Sequence, residues 1–209
     1  MDTALAYERA LVSLHASRGD ALLRIDEVLA RAPDFVTAHC LRAAALILAG
    51  DVPDRERLGA SVRAIEQQSS QASDRERRHA FAARAALEGD ERLALERYGD
   101  LLIEYPTDSL AAQMAHALDF RLGQREMLRD RVAQVLPHWN ESMPNFGYIL
   151  GMYAFGLEET GDYAQAEEFA KRALQLVPDH AGATHVIAHV LEMQGRNREG
   201  IEWLKSTRH

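Results

Sequence analysis

One cysteine, two lysines and no long apolar run set the first limits on this chain of 209 residues. Cys40 alone can build neither a disulfide framework nor a cysteine-based zinc cluster. A chain without disulfides fits a reducing compartment, so a cytoplasmic location is expected. No apolar stretch approaches the roughly 18 residues of a membrane-spanning helix. The opening MDTALAYERA has an early acid and no basic segment, and so does not read as a secretory signal. Only Lys171 and Lys205 are lysines, and all the other basic residues are arginines. Alanine is abundant as well, so the arginine excess reads as compositional bias rather than recognition. The net charge is -8, and no basic stripe with interleaved aromatics occurs. Neither nucleic acid nor an anionic membrane is therefore expected as a partner. A Gly-rich phosphate loop ending in Gly-Lys-Ser/Thr, a Gly-x-Ser-x-Gly elbow and a His-Glu-x-x-His pair are all missing. Sustained apolar/polar alternation, the mark of half-buried strands, is missing too.

What is present is helix, regularly interrupted. Stretches such as FAARAALEGDERLALERYGDLL and YAQAEEFAKRALQLV are built from Ala, Leu, Glu and Arg, the strongest helix formers. The glycines that break helical runs are Gly19, Gly50, Gly89, Gly123, Gly161 and Gly195. Their median interval is about 34 residues. Four are followed by aspartate: Asp20, Asp51, Asp90 and Asp162. A left-handed glycine closes one helix, and the aspartate caps the next. Pro33, Pro106 and Pro178 stop helical runs at close to twice that interval, two such units each. The chain therefore predicts about six helical hairpins, over roughly 5–33, 36–71, 75–106, 109–137, 147–178 and 181–204. In the fifth, Leu150, Ala154 and Leu157 share one helix face, and Ala166, Ala170 and Ala173 are the small residues of a close helix–helix seam. Residues 137–145, PHWNESMPN, read as a loop in which Trp139 plugs a gap between hairpins.

A helical hairpin recurring about every 34 residues resembles the tetratricopeptide repeat. Residues 98–204 also resemble, more narrowly, the N-terminal half of the tetratricopeptide repeat protein 38 family. YPTDSLAAQMAHALDFRLGQREMLRDRVAQVLPHW, YILGMYAFGLEETGDYAQAEEFAKRAL and ATHVIAHVLEMQGRNREGIEWL carry that likeness. The resemblance implies an all-α, right-handed α-solenoid in a single domain over 1–209, with no settled biochemical activity. Members of that family continue through further helical repeats.

In such arrays the first helix of each hairpin lines a concave surface. The resemblance implies that the second, fifth, ninth and twelfth positions of a unit face it, with the turn glycine as the fifteenth. That frame puts Tyr148, Gly151, Phe155 and Glu158 on the groove in the fifth unit. It puts His185, His189 and Glu192 there in the sixth, with Met193 beside them, and His79 in the third. His185 and His189 stand at i and i+4 on one helix face, and Glu192 follows one turn later. Two imidazoles and a carboxylate are a suitable ligand set for Zn²⁺ or Fe²⁺, although no cofactor is required. His116 and Asp119, at i and i+3, are candidates for a further ligand or an orienting acid behind it. Cys40, within AHCLRAAALIL, reads as a buried, inert thiol.

The function expected from these residues is a scaffold that binds a protein, peptide or small ligand in its groove. Tyr148, Phe155 and Met193 would be apolar anchors, with Glu158, His185, His189 and Glu192 as polar contacts. A metal-dependent or His/Glu-based small-molecule enzyme, using His185, His189 and Glu192, is the alternative. At the end of the chain, Ile201, Trp203 and Leu204 lie on a short final helix with no later helix to cover them. An uncovered apolar end is a candidate contact with a second copy, forming a homodimer, or with a continuation of the chain.

Overall fold

A computed structural model of the chain describes residues 2–17, 19–49, 54–68 and 70–207. It is all-α: 78% of the described residues are helical and none is in a strand. Twelve α-helices pair in order along these residues. They are α1 (Thr3–His15) with α2 (Ala21–Arg31), α3 (Val36–Leu48) with α4 (Arg55–Gln67), and α5 (Asp74–Glu88) with α6 (Glu91–Glu104). The series continues with α7 (Ser109–Arg121) and α8 (Arg125–Val135), α9 (Phe146–Glu159) and α10 (Tyr163–Leu176), and α11 (Ala181–Met193) and α12 (Asn197–Ser206). Each matches a hairpin expected from the glycine and proline spacing. The chain divides into two compact units, residues 1–118 and 119–209, with the division inside α7.

The turns follow from backbone chemistry. Gly89, Gly123, Gly161 and Gly195 have φ of 90°, 68°, 87° and 70°, a region that costs an L-residue with a Cβ about 1–2 kcal/mol. Each closes its helix with the same pair of bonds. At Gly161, its N–H donates to the Glu158 carbonyl at 3.0 Å and the Asp162 N–H to the Leu157 carbonyl at 2.9 Å. This Schellman arrangement satisfies carbonyls that a helix end otherwise orphans. Asp90 and Asp162 then cap the next helix, accepting from the N–H groups of Leu93 and Gln165. The first hairpin departs from the expected pattern. Its left-handed residue is Ser17, at φ 53°, not Gly19, and Asp20 accepts from Arg24 Nε at 2.6 Å instead of capping α2. The turn expected at Gly50 and Asp51 lies outside the described residues. Within 137–145 the chain makes a 3-10 turn, Leu136–His138, and then hydrogen-bonded turns. Trp139 is buried there, stacked on Phe146 with ring centroids 6.4 Å apart.

Packing within each unit is mostly between helices one or two apart in the chain: α1 on α2, α2 on α3, α3 on α4 and α5 in the first, and α8 on α9, α9 on α10, α11 on both in the second. The α9–α10 seam is tight because its residues are small. Ala154, Ala166, Ala170 and Ala173 are fully buried. A Cβ on Gly147 would stand 2.6 Å from Val177 Cγ2, and one on Gly156 would stand 2.5 Å from the Leu128 and Arg129 backbone of α8. Those distances require glycine in the interior of α9, despite a helix penalty of about 1 kcal/mol each.

Candidate functional site

The expected floor on α9 is largely roofed by the chain itself. Tyr148 is buried, and its ring lies 4.9 Å from that of His180, the N-cap residue of α11. The same imidazole covers Gly151, where an added Cβ would fall 2.1 Å from His180 Nε2. His180 Nδ1 accepts from the Ala183 N–H at 3.4 Å, which requires the neutral ring. Burial pushes its pKa down to about 4. Tyr148 and Gly151 are thus part of the packing between hairpins rather than an open groove surface. Phe155 is half-buried, edge-on to Phe120 at 5.7 Å.

Glu158, expected as a polar contact on the groove, is only 7% exposed. Its Oε1 lies 3.5 Å from His189 Nδ1, and its buried Oε2 accepts no hydrogen bond from the described residues. Burial raises its pKa, against the opposing pull of His189. His189 in turn meets His185 with ring centroids 4.2 Å apart. Burial, then the neighbouring His189, lowers the pKa of His185 and favours its neutral form. His185 and Glu192 are exposed, and His189 is half-exposed.

These side chains form one wall of an open groove of about 880 Å³. Helix α11 supplies Thr184, His185, Ala188, His189 and Glu192, while Pro178, Asp179 and Ala181 close one end. Helix α12 and its C-cap residue supply the opposite wall: Asn197, Gly200, Ile201 and Leu204, with Thr207. Ile201 and Leu204 are 56% and 48% exposed. The histidine cluster and the uncovered apolar end, separate expectations in the sequence, are therefore two walls of a single groove. Trp203 is placed differently from its two neighbours. It is half-buried, and its Nε1 donates to the Thr184 carbonyl at 3.1 Å, pinning α12 to α11. Met193 is exposed but does not line the groove.

The remaining candidates are occupied elsewhere. His79 does not face an open surface: it is 3% exposed, and its Nε2 lies 2.9 Å from Asp108 Oδ2. Arg75 Nε donates to the same oxygen at 2.5 Å, and Asp108 Oδ1 accepts from the Ala111 N–H at 2.9 Å. Burial raises the Asp108 carboxyl, but His79 and Arg75 more than offset it and hold it well below the usual carboxylate range. This network lies inside the first unit. There, α1 also reaches α7 through His15, whose Nε2 is 3.1 Å from Ser109 Oγ and whose Nδ1 is 3.3 Å from Gln113 Oε1. Cys40 is buried as expected, and burial pushes its thiol pKa far up. Asp119 is buried and holds Arg131 through both oxygens, at 2.8 and 3.2 Å, while His116 on the same helix is half-buried.

Among the described residues no three His, Cys, Asp or Glu side chains are placed to hold a metal ion, His185, His189 and Glu192 included. No described helix is long and apolar enough to cross a membrane. Residues 157–209, from the end of α9 through α12, match the family model described as tetratricopeptide repeat, which supports the tetratricopeptide repeat superfamily.

Proposed function

From a tetratricopeptide match that spans the groove itself, we propose that this chain is an interaction scaffold whose docking surface is the groove between α11 and α12. Tetratricopeptide repeats generally mediate contacts between proteins, so the ligand class is a segment of another protein. The observation that carries the reading is the joining of the two walls. Exposed Ile201 and Leu204 offer apolar area on α12 beside the polar Asn197, and Thr184, His189 and Glu192 on α11 offer directional polar contacts across from them. Each large apolar side chain covered by a partner contributes about 1.5–3 kcal/mol before the cost of association. A neutral His185, its ring tilted against that of His189, adds a polarisable surface without a fixed positive charge. The narrower kinship with the tetratricopeptide repeat protein 38 family remains part of this reading and adds no activity to it.

Photo-crosslinking tests the proposal. A benzoylphenylalanine placed at Ala188 or Thr207 should give protein adducts, and one at exposed Leu23 on α2 should not. Leu204→Glu should remove the groove adducts while leaving the fold intact, because Leu204 packs against little. Equal labelling from Leu23 and from the groove would refute the assignment.

A further inference from the structure

The occupant of the groove can be specified from the inner hairpin, where the same geometry is already filled. This inference rests on the docking reading above. Gly161 and Gly195 stand one repeat apart in the same left-handed turn. Superposing those two turns along the sequence maps Ala154 onto Ala188, Glu158 onto Glu192, Ala166 onto Gly200 and Ala170 onto Leu204. On the inner hairpin that surface is buried, and α11 packs against both α9 and α10. On the last hairpin the mapped residues line the open groove. What seats on α9 and α10 is a helix of thirteen residues whose buried side chains are Ala183, Val186, Ile187, Val190 and Leu191. A surface repeated from one that receives a helix has the dimensions of a helix, about 20 Å for that length.

Charge narrows the partner further. Among the described residues lining the groove, Asp179 and Glu192 are carboxylates and none is Lys or Arg. Buried Glu158 stands directly behind His189. The size of the apolar wall has also changed: where α10 carries Glu167 and Ala170, α12 carries Ile201 and Leu204. The groove therefore has more apolar area than its inner counterpart and an acidic rim. We infer that it receives a basic amphipathic helix of three to four turns, with small and β-branched apolar residues at i, i+3, i+4 and i+7 and Lys or Arg along its flanks.

The test uses two synthetic helical peptides with the same Ala/Val/Ile/Leu face, one flanked by lysines and one by glutamates. Binding to the full chain is followed by amide chemical shifts and by titration at two salt concentrations. The lysine peptide should shift Thr184, His189, Gly200 and Leu204, and bind at least about tenfold tighter than the glutamate peptide. Its affinity should fall with added salt, and Ile201→Asp should weaken it at least about tenfold. Ile201→Asp alters an exposed side chain, and unchanged circular dichroism checks its fold. If the glutamate peptide fills the groove equally well, the basic-helix inference is overturned and the docking surface stands. If neither peptide moves groove resonances, both are overturned. A peptide-free dimer that becomes monomeric on Leu204→Glu would make a second copy the occupant and overturn the inference as well.

Discussion

At the scale of single residues, the most informative positions are those where a hydrogen atom replaces a side chain. Gly151 exists to receive the His180 ring. Gly151→Ala would put a methyl 2.1 Å from Nε2, so the ring must leave and the α11 cap is lost with it. A loss of about 1–3 kcal/mol is expected in urea unfolding. An unchanged midpoint would mean that displacing the ring costs no more than the roughly 1 kcal/mol that alanine gains over glycine in a helix. His180 also imposes a pH dependence whose sign is fixed by its lowered pKa. The unfolded chain takes up a proton near the ordinary value of 6.5, but the folded ring resists until about 4. Its contribution is complete above 6.5 and falls by about 3 kcal/mol as the pH drops toward 4. His180→Asn keeps a capping side chain without a titrating one. The difference between wild type and variant should therefore slope only in that window. The sequence shows a helix with glycines at 147, 151 and 156, and such glycines signal close approach. It does not show what approaches, because the whole of α10 separates Gly151 from His180 along the chain. The repeat frame accordingly assigned Tyr148 and Gly151 to a groove that the chain itself covers.

Elements were far more legible, since a hairpin is a local object. Helix formers, left-handed glycines and prolines act within a few residues of one another, and their spacing located the six hairpins closely. Among the described turns the exception is the first, where Ser17 adopts the conformation expected of Gly19. Small residues at the α9–α10 seam were legible for the same reason, and their role is testable by contrast within the chain. Ala170 and Leu204 hold equivalent places in successive hairpins, one fully buried and the other half-exposed. Ala170→Leu should overpack its seam and cost about 1–3 kcal/mol. Leu204→Ala should change stability by less than about 0.5 kcal/mol. Equal effects in the two would show that α12 is packed as α10 is. Circular dichroism should report more than about two thirds helix with no strand contribution, far above the usual share.

On the scale of whole units, the two halves of the chain use their first helices differently. In the second unit α11 leaves its outer face exposed, and its histidines and the apolar wall on α12 meet only because the hairpin brings them together. The sequence marked both walls and had no means of joining them. In the first unit the corresponding faces are filled by the chain itself, with Asp108 holding Arg75 and His79 and with α1 touching α7. That last contact was invisible in the sequence, since five helices intervene between His15 and Ser109. It also orders the unit's assembly in time. The helix pairs α1–α2, α2–α3, α3–α4 and α3–α5 can pack as soon as the adjacent hairpin exists, but His15 must wait until the whole stretch is in place. Closing so long a loop early is entropically costly, so the contact should form after the rate-limiting barrier. His15→Ala should then raise the unfolding limb of a stopped-flow chevron while leaving the refolding limb within about twofold. A slowed refolding limb would instead make the joining of α1 to α7 the event that launches the fold.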